Sequence, residues 1–245
     1  MALHLTHNLA YWHMPKTGVM SVYKIFGVFA AEIGYERVLG PIRHGDVSEI
    51  PRSALFKRTL FGTIRDPWSW YHSLYQHVMS SPDGEAHMLK IGNGVEGFKA
   101  ALYGMTHPLD VADLPDQFTG ITNIHDDIRA AARNQYLSSG MGLYSWMFQY
   151  TYGRPVRPLI FVNTKHLTQG LSLILNLPHQ RLLEVNRQNC ATHRPHSLDH
   201  TEYDQEMRDW VSQADKGLIS TFGFNESETP EIWYREDLSF PPSFR

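Results

Sequence analysis

The chain has 245 residues, 42% hydrophobic and 19% charged, enough apolar material for a sizeable core and too much for a disordered chain. A formal net charge of -3 excludes nucleic-acid binding driven by bulk positive charge, so any anionic ligand must be held by a few local donors. The single cysteine, Cys190, excludes an intrachain disulfide, and no apolar run reaches the about 20 residues that a membrane span needs.

The opening Met1-Ala2-Leu3-His4-Leu5-Thr6-His7 has neither the basic start nor the apolar run of a signal peptide, so a cytoplasmic location is expected. Asn225-Glu226-Ser227 fits a glycosylation acceptor but has no secretion signal to accompany it. Residues 9–14 are mostly apolar and aromatic and stop at Pro15, which reads as a buried strand. Val22, Ile25, Phe26, Phe29 and Ile33 then recur at helical spacing, and Gly34 follows as a C-terminal stop.

Residues 59–65 form a second strand candidate. Asp66 supplies an N-cap and Pro67 a first helical residue whose missing N–H costs nothing, and Trp68, Tyr71, Leu74, Tyr75 and Val78 continue a helix. Residues 80–125 lack a clear period and read as loops and short helices. A third strand over residues 159–162 leads to a helix over residues 165–175. Met207, Trp210, Val211, Ala214 and Leu218 mark one more amphipathic helix, with Thr201 and Asp204 resembling a capping box. Strands alternating with helices predict an α/β fold, a three-layer sandwich around a mainly parallel sheet. No repeat, low-complexity tract or linker divides the chain, so one domain over residues 1–245 is expected.

Pro15-Lys16-Thr17-Gly18-Val19-Met20-Ser21 joins the first strand to the first helix, where backbone N–H groups and a helix N-terminus converge on an anion. Gly18 would permit close approach, Lys16 a positive charge, and Thr17 and Ser21 hydroxyl donors. The nucleotide-triphosphatase loop places its lysine after the second glycine, and no segment here has that order, which disfavours ATP or GTP hydrolysis. Arg65 ends the second strand and Ser73 lies about two turns into the next helix, a fork and a hydroxyl suited to a second phosphate. Phosphate sites at two strand ends imply a nucleoside phosphorylated at both ends.

These residues resemble the sulfotransferases. His13-Met14-Pro15-Lys16-Thr17-Gly18 followed by Ser21 looks like that family's 5'-phosphosulfate loop. Gly62-Thr63-Ile64-Arg65-Asp66-Pro67 through Ser73 looks like its 3'-phosphate motif, and Asp215 through Phe222-Gly223-Phe224 resembles the end of its last helix. The style is that of carbohydrate, uronyl-type and bacterial members. The resemblance implies a P-loop nucleotide-kinase-like fold, 3'-phosphoadenosine-5'-phosphosulfate as donor and 3',5'-adenosine bisphosphate as product. Val19 and Met20 stand where members commonly have glycine and threonine, and Trp70 where carbohydrate-type members often have arginine.

By analogy with phosphoryl transfer, acceptor and leaving oxygens should lie in line, with Lys16 stabilising the leaving group. A hydroxyl acceptor needs a general base, a role histidine suits near neutral pH. His44, in Arg43-His44-Gly45-Asp46, lies between the motifs and resembles the His-Gly stretch of uronyl-type enzymes, with Asp46 placed to orient it or to serve as a turn residue. Arg187 and Arg194 fall where related enzymes close a basic loop over the nucleotide, and each reads equally as a surface arginine. Arg133 and Gln135, in a helical stretch with Arg129, Asn134 and Tyr136, are candidates for an acceptor pocket or a solvated face. The irregular insertion around residues 80–150 would supply that acceptor side. Cys190, His193, His196 and His200 do not match a paired zinc-ligand spacing, and no metal is expected.

The expected activity is sulfuryl transfer to a carbohydrate or another hydroxylated metabolite, with no nucleic-acid partner. The sequence names neither the acceptor nor an oligomeric state. A nucleotide-dependent kinase of similar architecture and a non-catalytic adenosine-bisphosphate-binding protein are the alternatives. Magnesium dependence separates the first from a sulfotransferase, and binding without transfer marks the second.

Overall fold

The computed structural model describes residues 2–39, 52–111, 126–153, 159–192, 203–225 and 228–239. Among them, β1 (Ala2–Leu5), β2 (Leu9–Tyr11), β3 (Glu36–Leu39), β4 (Thr59–Ile64), β5 (Ile160–Asn163) and β6 (Ile232–Tyr234) form one sheet in the order β3-β1-β2-β4-β5-β6. The helices are α1 (Val19–Val28), α2 (Ala30–Ile33), α3 (Arg52–Leu55), α4 (Pro67–Met79), α5 (Gly84–Ile91), α6 (Phe98–Thr106), α7 (Asp126–Leu137), α8 (Leu143–Tyr152), α9 (Leu167–Leu175), α10 (His179–Thr192), α11 (Gln205–Ala214) and α12 (Lys216–Phe222). None of the described helices is long and apolar enough to cross a membrane.

The fold is α/β, but its sheet is mixed where a mainly parallel one is expected. Only β2, β4 and β5 run parallel, with Ala10 opposite Leu60 and Gly62 opposite Phe161. On one side β1 pairs antiparallel with both β2 and β3, and on the other β6 pairs antiparallel with β5. The hairpin at β1 explains the first departure. Thr6 N–H donates to the Leu9 carbonyl at 2.8 Å and Leu9 N–H to the Thr6 hydroxyl at 3.0 Å, a tight reversal that sets β1 beside β2.

Alternate residues of the central strands face two separate cores. Ala10, Leu60, Ile64 and Phe161 point into one with Trp70, Tyr71, Tyr144 and Phe222, while Tyr11, Phe61 and Val162 point into the other with Val22, Phe26, Leu171 and Leu182. Thus α1, α9 and α10 cover one face of the sheet, and α4, α8, α11 and α12 the other. The neighbours β2 and β4 therefore send their following helices to opposite faces. Ligands of open α/β sheets bind in the crevice that such a switch point leaves beyond the carboxyl ends of the strands.

Two expected helices are each divided. The first stops at Phe29, which caps α1 before α2 begins, and Gly34 ends α2 in the left-handed conformation as its residue type predicts. The last breaks at Asp215, between α11 and α12, because its carboxylate turns inward to a partner on α8. The described part of residues 80–125, expected as loops and short helices, carries α5 and α6, and the helical stretch expected around Arg133 is α7.

Candidate functional site

The strand ends bring the two motifs into contact. Arg65 follows the last residue of β4, and its Nη1 donates to the Lys16 carbonyl at 3.4 Å. The indole N–H of Trp70, one turn into α4, donates to the Pro15 carbonyl at 2.8 Å. Gly18 is packed against the connection after β5: a Cβ there would lie 3.2 Å from Leu167, and its φ of +82° suits glycine.

The turn is built to present backbone donors. Lys16 itself adopts φ +64°, an uncommon conformation for a residue with a Cβ. No described residue accepts a hydrogen bond from the N–H groups of Lys16, Gly18, Val19 or Met20, while the turn at Pro15–Lys16 directs Thr17 N–H to the Met14 carbonyl and Ser21 and Val22 donate back to the Gly18 carbonyl. Four unpaired donors at and just before the N-terminus of a ten-residue helix form a concentrated anion-attracting array. Val19 and Met20 thus present unpaired backbone N–H groups, and Met20 is 57% exposed.

Thr17 does not serve as a ligand hydroxyl, contrary to expectation. It is fully buried and donates to the Met14 carbonyl at 2.6 Å. Since that bond uses its only proton, the 2.8 Å contact to Thr63 must run from Thr63 to Thr17, and the 3.0 Å contact between Tyr11 and Thr63 from Tyr11 to Thr63. The relay Tyr11–Thr63–Thr17–Met14 staples the turn to β2 and β4.

Arg65 is held by its own helix start. Its Nε donates to Ser69 Oγ at 2.8 Å, Ser69 Oγ donates to the Asp66 carboxylate, and Asp66 accepts from Ser69 N–H at 2.9 Å as the α4 N-cap. Pro67 occupies the first turn, as its position predicts. Ser73 lies one turn beyond Ser69, half-buried, and no described residue hydrogen-bonds its hydroxyl.

The Arg65 guanidinium thus reaches the Lys16 backbone, and the two charges act on one another. Burial, and then the charge of Arg65, lower the Lys16 pKa, and burial lowers that of Arg65 against the opposing charge of Asp66. The pair would be relieved by an anion placed between them. Lys16 also acts on His77, one turn past Ser73 on α4. Burial first and then the Lys16 charge lower its proton affinity and favour neutral imidazole. The α4 periodicity from Ser69 through Ser73 to His77 is the signal that marks this residue in the sequence.

The other candidates are placed less centrally. Arg187 is exposed on α10, so the polar segment expected around it is helical up to Thr192. Half-buried Arg133 and exposed Gln135 lie on α7, which packs on the helical turn Pro108–Asp110 rather than building the anion turn. His44, Asp46, Arg194, His193, His196 and His200 lie outside the described residues. A groove of about 600 Å³, lined by Thr59, Leu159, Ile160, Tyr234, Arg235 and Glu236, sits at the opposite end of the parallel strands. Comparisons with protein-family models, curated proteins and solved structures return no match.

Proposed function

We propose that the protein is a sulfotransferase that uses 3'-phosphoadenosine-5'-phosphosulfate as donor and a hydroxylated compound, a carbohydrate or another metabolite, as acceptor. The observation that carries this reading is the reach of the Arg65 guanidinium to the Lys16 backbone, beside the unpaired N–H groups of Lys16, Gly18, Val19 and Met20. An array at the head of α1 suits the 5'-phosphosulfate, and a guanidinium with the free Ser73 hydroxyl suits the 3'-phosphate. The motif resemblance supplies the identity of the nucleotide.

In the transfer, the acceptor oxygen forms a bond to sulfur as the bond from sulfur to the bridging phosphate oxygen breaks. The electron pair stays on that phosphate oxygen, where Lys16 and the α1 amides stabilise the growing charge. The acceptor proton passes to a histidine. His44 is the residue that the resemblance indicates, and among the described histidines His77, exposed on α4, has its ring under the field of Lys16.

Calorimetric titration with 3',5'-adenosine bisphosphate, 5'-AMP and ATP, in chelator and with magnesium, tests the reading. The bisphosphate should bind most tightly without magnesium, and Arg65→Ala should weaken it by about tenfold or more while changing 5'-AMP little. Preference for magnesium-ATP would favour the kinase alternative.

A further inference from the structure

Helix α8 takes no part in either motif, yet two of its tyrosines reach both. The Tyr144 hydroxyl accepts from the Arg65 N–H at 3.1 Å and donates to the Arg65 carbonyl at 2.5 Å, so both peptide groups of one residue are tied to one side chain. The Tyr152 hydroxyl bridges two residues at the other strand exit, accepting from Met14 N–H at 3.1 Å and donating to the Trp12 carbonyl at 3.2 Å. Both tyrosines are fully buried, and eight residues separate them by about 12 Å along the helix axis.

The helix is itself secured. Ser145 N–H donates to Asp215 Oδ1 at 2.9 Å, and Tyr144 N–H donates to the Tyr71 hydroxyl at 3.2 Å. The Tyr144 ring lies 4.7 Å from that of Trp70, whose indole holds Pro15, and a Cβ on Gly62 would come within 2.8 Å of the Tyr152 ring. Packing alone would be served by phenylalanine at either position. The hydroxyls add directional control of backbone at the two strand ends where the anion groups begin.

We propose that Tyr144 and Tyr152 are positioning residues, the first aiming Arg65 at the 3'-phosphate and the second fixing the approach to the 5' turn, so that α8 sets the spacing of the two anion subsites. This rests on the nucleotide reading above.

The test compares Tyr144→Phe and Tyr152→Phe by calorimetry with 3',5'-adenosine bisphosphate and 5'-AMP, alongside thermal unfolding. Tyr144→Phe should cut the preference for the bisphosphate by about tenfold, with 5'-AMP affinity within about twofold of wild type. Tyr152→Phe should weaken both nucleotides by a similar factor, about tenfold, and leave the preference intact. Equal effects of both variants on both ligands, or no effect, would overturn the proposal.

Should the wild type show no preference, the bisphosphate reading fails, and phenylglyoxal modification of Arg65, read by peptide mass, decides the role of Tyr144 alone. Tyr144→Phe should accelerate it by about fivefold and Tyr152→Phe should not, whereas equal rates contradict the assignment. If Tyr144→Phe does not fold, Tyr71→Phe, which loosens the anchor of Tyr144, should reduce the same preference or the same protection by about threefold. No change in that variant contradicts the proposal.

Discussion

Thr63 joins the turn to β2 and β4 through side-chain hydroxyls. It passes its proton to Thr17 and receives one from Tyr11, and all three side chains are buried. Thr63→Val keeps the shape and leaves two buried hydroxyls short of a partner, so it should cost about 1–3 kcal/mol of stability in chemical denaturation. It should also weaken 5'-AMP, because the turn is no longer tied through Thr17 to β4, whereas Thr63→Ser should restore both. Unchanged affinity in the valine variant would mean that the turn holds itself. The residue types of this turn were legible in the sequence, and so was its place between a strand and a helix. The inward direction of Thr17 was not, because it depends on Thr63, 46 residues away. The left-handed Lys16 was equally hidden, since lysine carries no preference for that conformation.

At the scale of elements, the strand–turn–helix units at β2–α1 and β4–α4 were readable because each carries local signals: helical periodicity, the Asp66 cap and Pro67. The flanks were not. Strands β1, β3 and β6 are three or four residues long, and their antiparallel pairing is decided by neighbours distant in sequence. Helix α8 was hidden for another reason. Every residue from Leu143 to Phe148 is buried, so there is no polar face to give it a period. Gly62 is its one trace in a strand, a residue that marks close approach of a neighbour. Gly62→Ala should drive the Tyr152 ring off its position, costing about 1–3 kcal/mol and weakening nucleotide binding through the strand exits. Wild-type stability and affinity in that variant would contradict the packing described for α8.

Across the whole molecule, two buried groups give the fold opposing responses to pH. His4, stacked on Tyr23 and bonded to Tyr35, is held at a pKa of about 4 by burial and then by Arg37, below its usual 6.5. The unfolded chain then binds the extra proton first, so this group's stabilisation is present above pH 6.5 and is lost as pH falls towards 4. Asp215 behaves oppositely. Burial raises its pKa to about 6 from 3.8 despite hydrogen bonds from Ser145 and Tyr71, so its stabilisation is complete below pH 3.8 and is lost as pH rises through 6. Each effect is worth about 3 kcal/mol, and between pH 4 and 6 they nearly cancel. Denaturant unfolding of Asp215→Asn should therefore lose stability on acidification through this window more steeply than wild type, and His4→Phe should instead gain it. Parallel pH profiles for all three proteins would show that neither group is held as described.

The crystal structure of the protein with 3',5'-adenosine bisphosphate tests the central claim most directly. The account predicts the 5'-phosphate on the N–H groups of Lys16, Gly18, Val19 and Met20 with the Lys16 side chain beside it, and the 3'-phosphate on Arg65 and Ser73. A nucleotide bound in the groove at the far end of the parallel strands, or with its phosphates exchanged between the two subsites, would contradict it.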